Sequence, residues 1–112
     1  MHLVPIAPLS INKAFCGRRF LTKEAKKYIS DVLLLLPNRT GLKFGKEDKL
    51  RLTLHFGFSN TNSDVSNAIK IFEDCLMKKI GTINDRQIYE LHVLKIITEK
   101  KKEYIEFLLE EI

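Results

Sequence analysis

The sequence predicts a single α+β domain over residues 1–112, a mixed sheet with two helices in the order β-α-β-α-β-β. Three observations carry this. Leu50, Leu52, Leu54, Phe56 and Phe58 alternate with Arg51, Thr53, His55 and Gly57, the two-residue period of a half-buried strand. Val65, Ala68, Ile69, Phe72, Cys75, Leu76 and Ile80 recur at 100° per residue and share one helix face. The 112 residues, 45% of them apolar, suffice for one core and not for two.

The elements follow in order. Met1 to Ala7 is apolar enough for a first strand, and Pro5 gives it an edge position. Pro8 to Leu21 reads as an irregular basic loop around Gly17. Thr22 caps a helix running to Leu36, and Pro37 ends it. Asn38 to Asp48 is rich in turn residues. The alternating strand comes next, then the helix Val65 to Ile80 with Gly81 as its stop. Gln87 to Thr98 forms a strand, Lys100 to Lys102 a turn and Tyr104 to Leu109 the last strand, so the fold is expected to end in a hairpin.

Charge is distributed unevenly. The chain carries +5, and the window from Asn12 to Lys27 alone holds Lys13, Arg18, Arg19, Lys23, Lys26 and Lys27 against Glu24. Such a cluster suits a polyanion, because binding neutralises phosphates and releases counterions. A solvated surface reads equally well from charge alone. Cys16 and Cys75 make neither a disulfide framework nor a zinc motif, and reduced thiols are expected. No basic-then-apolar leader is seen. The longest apolar run, Val32 to Leu36, is too short to span a bilayer, so a cytoplasmic protein without a membrane partner is expected. GxGxxG, Walker A, HExxH and GxSxG motifs are absent. His55 and His92 on strands read as structural histidines.

Chemistry concentrates on the second helix. Asp64, Asn67, Lys70 and Asp74 are spaced by three, three and four residues and point the same way. Asp85 follows a tight connection and is expected to fold back beside the start of this helix. Converging carboxylates suit Mg²⁺, a hard ion that prefers oxygen. The other reading is an N-cap at Asp64 followed by an ordinary solvated stripe, and periodicity by itself favours it.

The stretch Ser63-Asp64-Val65-Ser66-Asn67-Ala68-Ile69-Lys70, then Asp74, then Asn84-Asp85, resembles the RusA family of Holliday-junction-resolving endonucleases. The opening Pro8-Leu9-Ser10, Asn12, Arg18-Arg19 and Thr22, followed by Tyr28 in its helix, is similar to the Pro-x-Ser-x-Asn start and basic loop of many phage-borne members. The resemblance spans roughly residues 5–98. It implies a RusA-like fold and a homodimer that nicks four-way DNA junctions symmetrically in recombination and repair, with Mg²⁺ as cofactor and Mn²⁺ as a substitute. It also implies a bacterial host cell and phage or prophage carriage.

Carried over by position, Asp64, Lys70 and Asp85 are the expected catalytic residues. Asp64, Asp85 and Asp74 are the expected metal donors, with Asn67 and Ser66 in support. Lys13, Arg18, Arg19 and Lys23 are the expected DNA contacts. Phe15 and Phe20, beside these bases, read as core residues or as wedges between DNA bases. One position departs from the family: Ser66 stands where its second aspartate is normally found. Asp74 is better placed than Glu73 to complete the shell on a helical projection. Ser66 also opens an alternative, a branched-DNA-binding protein with weak or no cutting.

Overall fold

A computed structural model describes residues 1–9, 22–38 and 43–112. Among these the elements are β1 (His2–Val4), α1 (Lys23–Leu35), β2 (Leu50–Phe58), α2 (Val65–Ile80), β3 (Ile88–Ile97) and β4 (Tyr104–Glu111). Asp85–Gln87 adds a single 3₁₀ turn. The α+β class and the order of elements are as the sequence predicts.

The helix ends follow from local chemistry. The Thr22 hydroxyl accepts a hydrogen bond from the Ala25 N–H at 3.1 Å, one of the donors a helix start leaves unpaired. At α2 the Asp64 carboxylate accepts from the Ser66 N–H at 2.9 Å. Gly81 closes α2 at φ 77°, a left-handed conformation that glycine adopts without a Cβ penalty, and its N–H returns to the Met77 carbonyl.

The sheet is mixed, in the order β1-β4-β2-β3. β2 and β3 run parallel, joined by α2 as a crossover, while β4 is antiparallel to both β2 and β1. The expected terminal hairpin is therefore corrected. β3 and β4 are not neighbours, because β2 lies between them. The crossover places β3 on one side of β2, and β4 returns to the other side. There its alternate residues Ile105, Phe107 and Leu109 are buried. Residues 98–103 carry the chain past the end of β2, with Lys101 at φ 70°. Burial of the apolar face, rather than proximity in sequence, decided the pairing.

Both helices contribute to one buried cluster on one face of the sheet. Phe72 of α2 meets Phe56 of β2 edge-on at 6.3 Å and Phe107 of β4 at 5.8 Å. Ala25, Tyr28 and Val32 of α1 join the same cluster. The opposite face carries the charged pairs: Arg51 pairs with Glu90 and Glu110, and His55 and His92 lie near Glu106 and Glu90. β1, at one edge, is only three residues long, and Pro5 stands just beyond it.

Candidate active site

The segment between β2 and α2 is organised by its own side chains. The Asn60 side-chain oxygen Oδ1 accepts hydrogen bonds from the Asn62 N–H, the Ser63 N–H and the Ser63 hydroxyl at 2.9–3.0 Å. Lys95, reaching over from β3, donates to the Thr61 and Ser63 carbonyls, and its ammonium lies 5.8 Å from the centre of the Phe58 ring. These contacts fix the residues that lead into Asp64. Asp64 in turn spends one carboxylate oxygen on the N–H of Ser66, whose side chain is exposed.

The second part of the site is an ion cluster. Lys70 Nζ lies 3.1 Å from Asp74 and 3.3 Å from Asp85. All three side chains are about half exposed. The lysine pKa is raised, first by its hydrogen bond to Asp74 and then by Asp85. Its ammonium stays charged across the neutral range and offsets the two carboxylates. Glu73, half-buried, has its pKa raised by burial, with Lys70 opposing and Asp85 and Asp74 adding to the rise. It therefore stands within electrostatic reach of the same group.

A rigid turn presents Asp85. Asn84 accepts from the Arg86 N–H, and the Gln87 side-chain oxygen accepts from the Asn84 N–H, a capping box. Gln87 is buried and donates to the Gly45 and Asp48 carbonyls at 2.9 and 3.0 Å, which ties this turn to the turn before β2.

The structure thus brings Lys70, Asp74 and Asp85 together. Asp85 and Asp74 both meet the tip of Lys70, while Asp64 serves as the N-cap of the same helix. Oxygen donors of the right kind for a hard cation are present. Yet no three His, Cys, Asp or Glu side chains among the described residues are grouped to hold a metal ion. Asn67 lies in the first turns of α2. Lys23 opens α1 and is exposed. Lys13, Arg18, Arg19, Phe15, Phe20 and Cys16 lie outside the described residues. Cys75 is buried and free, and burial pushes its thiol pKa up to about 11.

Sequence reasoning missed Gln87, Lys95 and Asn60. Lys95 had a signal: it shares strand parity with Leu91, Val93 and Ile97, so a charge stands in an apolar row. Gln87 and Asn60 had none: Gln87 bonds only backbone groups, and Asn60 bonds two backbone N–H groups and the hydroxyl of Ser63 in an irregular turn without periodicity.

No helix among the described residues is long and apolar enough to cross a membrane. No curated protein matches the chain. The family model described as Endodeoxyribonuclease RusA matches residues 12–107, from the basic segment through the ion cluster and into β4. With that match over most of its length, the chain belongs to the RusA family of endodeoxyribonucleases, which resolve Holliday junctions.

Proposed function

We propose that this chain is a Mg²⁺-dependent, structure-specific endonuclease that resolves four-way DNA junctions by paired symmetric nicks, with Mn²⁺ as a substitute ion. The observation that carries the reading is Lys70 held between Asp74 and Asp85 on a chain of this family. Asp64, Lys70 and Asp85 are the proposed catalytic residues. Asp64, Asp85 and Asp74 are the proposed metal donors, supported by Asn67 and Ser66. A divalent ion, when bound, polarises the scissile phosphate and lowers the pKa of a water.

The chain's own residues supply positioning and charge. The Asn84–Gln87 capping box sets the position of Asp85. Lys95 and Asn60 set the segment that enters Asp64. The Lys70 ammonium, charged at neutral pH and half exposed, offers a cation to the negative charge that builds on the phosphate. Lys13, Arg18, Arg19 and Lys23 contact phosphates of the junction arms. A homodimer matches its two-fold symmetry to that of the junction. The working compartment is the cytoplasm of a bacterial host, with phage or prophage carriage.

A second reading has its own observation. Ser66 presents a neutral hydroxyl where the family normally has an aspartate. On that reading the protein binds branched DNA and cuts it weakly or not at all.

A labelled synthetic four-way junction, incubated with Mg²⁺ and separately with Mn²⁺ beside a linear duplex, separates the two. Paired nicks confined to the junction, and abolished by a chelator, are expected. Tight binding with no nicks at any concentration of either ion favours the second reading.

A further inference from the structure

Lys70 is committed to the very groups that the proposed chemistry would give to a metal ion. Its Nζ lies 3.1 Å from Asp74 Oδ1 and 3.3 Å from Asp85 Oδ2. One ammonium therefore joins carboxylates from two elements, α2 and the turn before β3. The other lysine–carboxylate pairs among the described residues are of a different kind. Lys27–Asp31 and Lys102–Glu99 each join one carboxylate to a lysine three or four residues away. Asp64 is engaged elsewhere, on the N–H of Ser66. No three His, Cys, Asp or Glu side chains among the described residues are grouped to hold a metal ion. The cluster is thus satisfied from within, and Lys70 is its cation.

We infer that Lys70 and a small divalent ion are alternative occupants of the space between Asp74 and Asp85, so that an ion held by both carboxylates displaces the ammonium toward solvent. The inference rests on the Mg²⁺ reading above and adds the exchange by which the site is filled.

Three physical points carry it. The first is space. Mg²⁺ takes its oxygens at about 2.0–2.1 Å, closer than an ammonium approaches, so an ion drawing on both carboxylates claims the place where Nζ stands. The second is charge. An ion on the outer oxygens of the same carboxylates would stand within a few Å of the ammonium, and repulsion between a divalent and a monovalent cation at that range is large. The third is the ease of release. All three side chains are about half exposed, and ion pairs of that exposure are weak. The lysine stem is flexible, so the ammonium swings away without moving α2. Once displaced it is free for a DNA phosphate. Ion and phosphate then favour each other's binding, because each draws one partner out of the same pairing.

The ion alone is the probe. Mg²⁺ is titrated without DNA into the unaltered protein and into Lys70→Met, with binding read by calorimetry. In parallel, the Cε and Nζ signals of Lys70 and the carboxylate signal of Asp85 are followed by NMR in the unaltered protein. Lys70→Met is expected to bind the ion more tightly, by roughly fivefold or more, because a competing charge is gone. The Lys70 signals are expected to move to those of a free lysine over the same Mg²⁺ range in which Asp85 responds. Equal or weaker binding by Lys70→Met overturns the exchange. If that variant fails to fold, the signals of the unaltered protein decide. Ion binding that leaves the Lys70 signals in place overturns the exchange and leaves the Mg²⁺ reading standing. No ion binding by either protein, together with nicking that needs no divalent ion, overturns both.

Discussion

At the scale of single residues, Ser66 divides the two functional readings. It lies in the first turn of α2, exposed, with its N–H already on Asp64. A carboxylate there adds a hard oxygen donor beside Asp64. It also faces the positive end of the helix dipole, a gain of about 0.3–1 kcal/mol. Ser66→Asp is therefore expected to raise nicking several-fold at fixed Mg²⁺ and to raise the melting temperature slightly. An unchanged rate in a slightly more stable protein would show that Ser66 does not limit the site. Asp64, Lys70 and Asp74 were legible in the sequence because helical periodicity sets their spacing. The partnership of Lys70 with Asp85 was not, because it spans a helix end and a turn whose geometry depends on buried Gln87 and its contacts with Gly45 and Asp48.

At the scale of elements, Lys95 links β3 to the approach to Asp64. Lys95→Met removes the donor to the Thr61 and Ser63 carbonyls from an exposed position. Nicking should fall by roughly tenfold, the scale of lost outer-shell support, with the melting temperature almost unchanged and partial rescue by Lys95→Arg. Equal rates in all three proteins would remove Lys95 from the account.

Gly57 belongs to the fold rather than the site. A Cβ at this position would lie 2.4 Å from the Tyr104 ring, which packs across the β2–β4 pair. Gly57→Ala should cost about 1–3 kcal/mol in urea unfolding, and less in a Tyr104→Ala background. The same cost in both backgrounds would contradict the packing. Gly57 and Tyr104 also show why the final hairpin misled. Alternation marks a strand and its faces, and both β3 and β4 were visible in it. It says nothing of which strand lies alongside, and here β2 came between them. The ends of α1 and α2 were legible because Thr22, Asp64 and Gly81 act within a few residues of themselves.

At the scale of the whole molecule, charge is unevenly distributed along the chain. The net +5 equals the excess of the Asn12 to Lys27 window, while β3 is balanced. Arg18→Ala with Arg19→Ala should weaken junction binding and reduce the salt slope by about one unit per lost phosphate contact, leaving the dimer mass intact. An unaltered slope would take the basic segment out of the DNA surface.

The measurement that bears most directly on the central claim compares the unaltered protein with Asp85→Asn on one labelled four-way junction, with binding and nicking read in parallel. Paired symmetric nicks by the unaltered protein, with binding kept and nicks lost in Asp85→Asn, is the predicted result. Equal nicking by both proteins would contradict the assignment of chemistry to the Lys70–Asp74–Asp85 cluster.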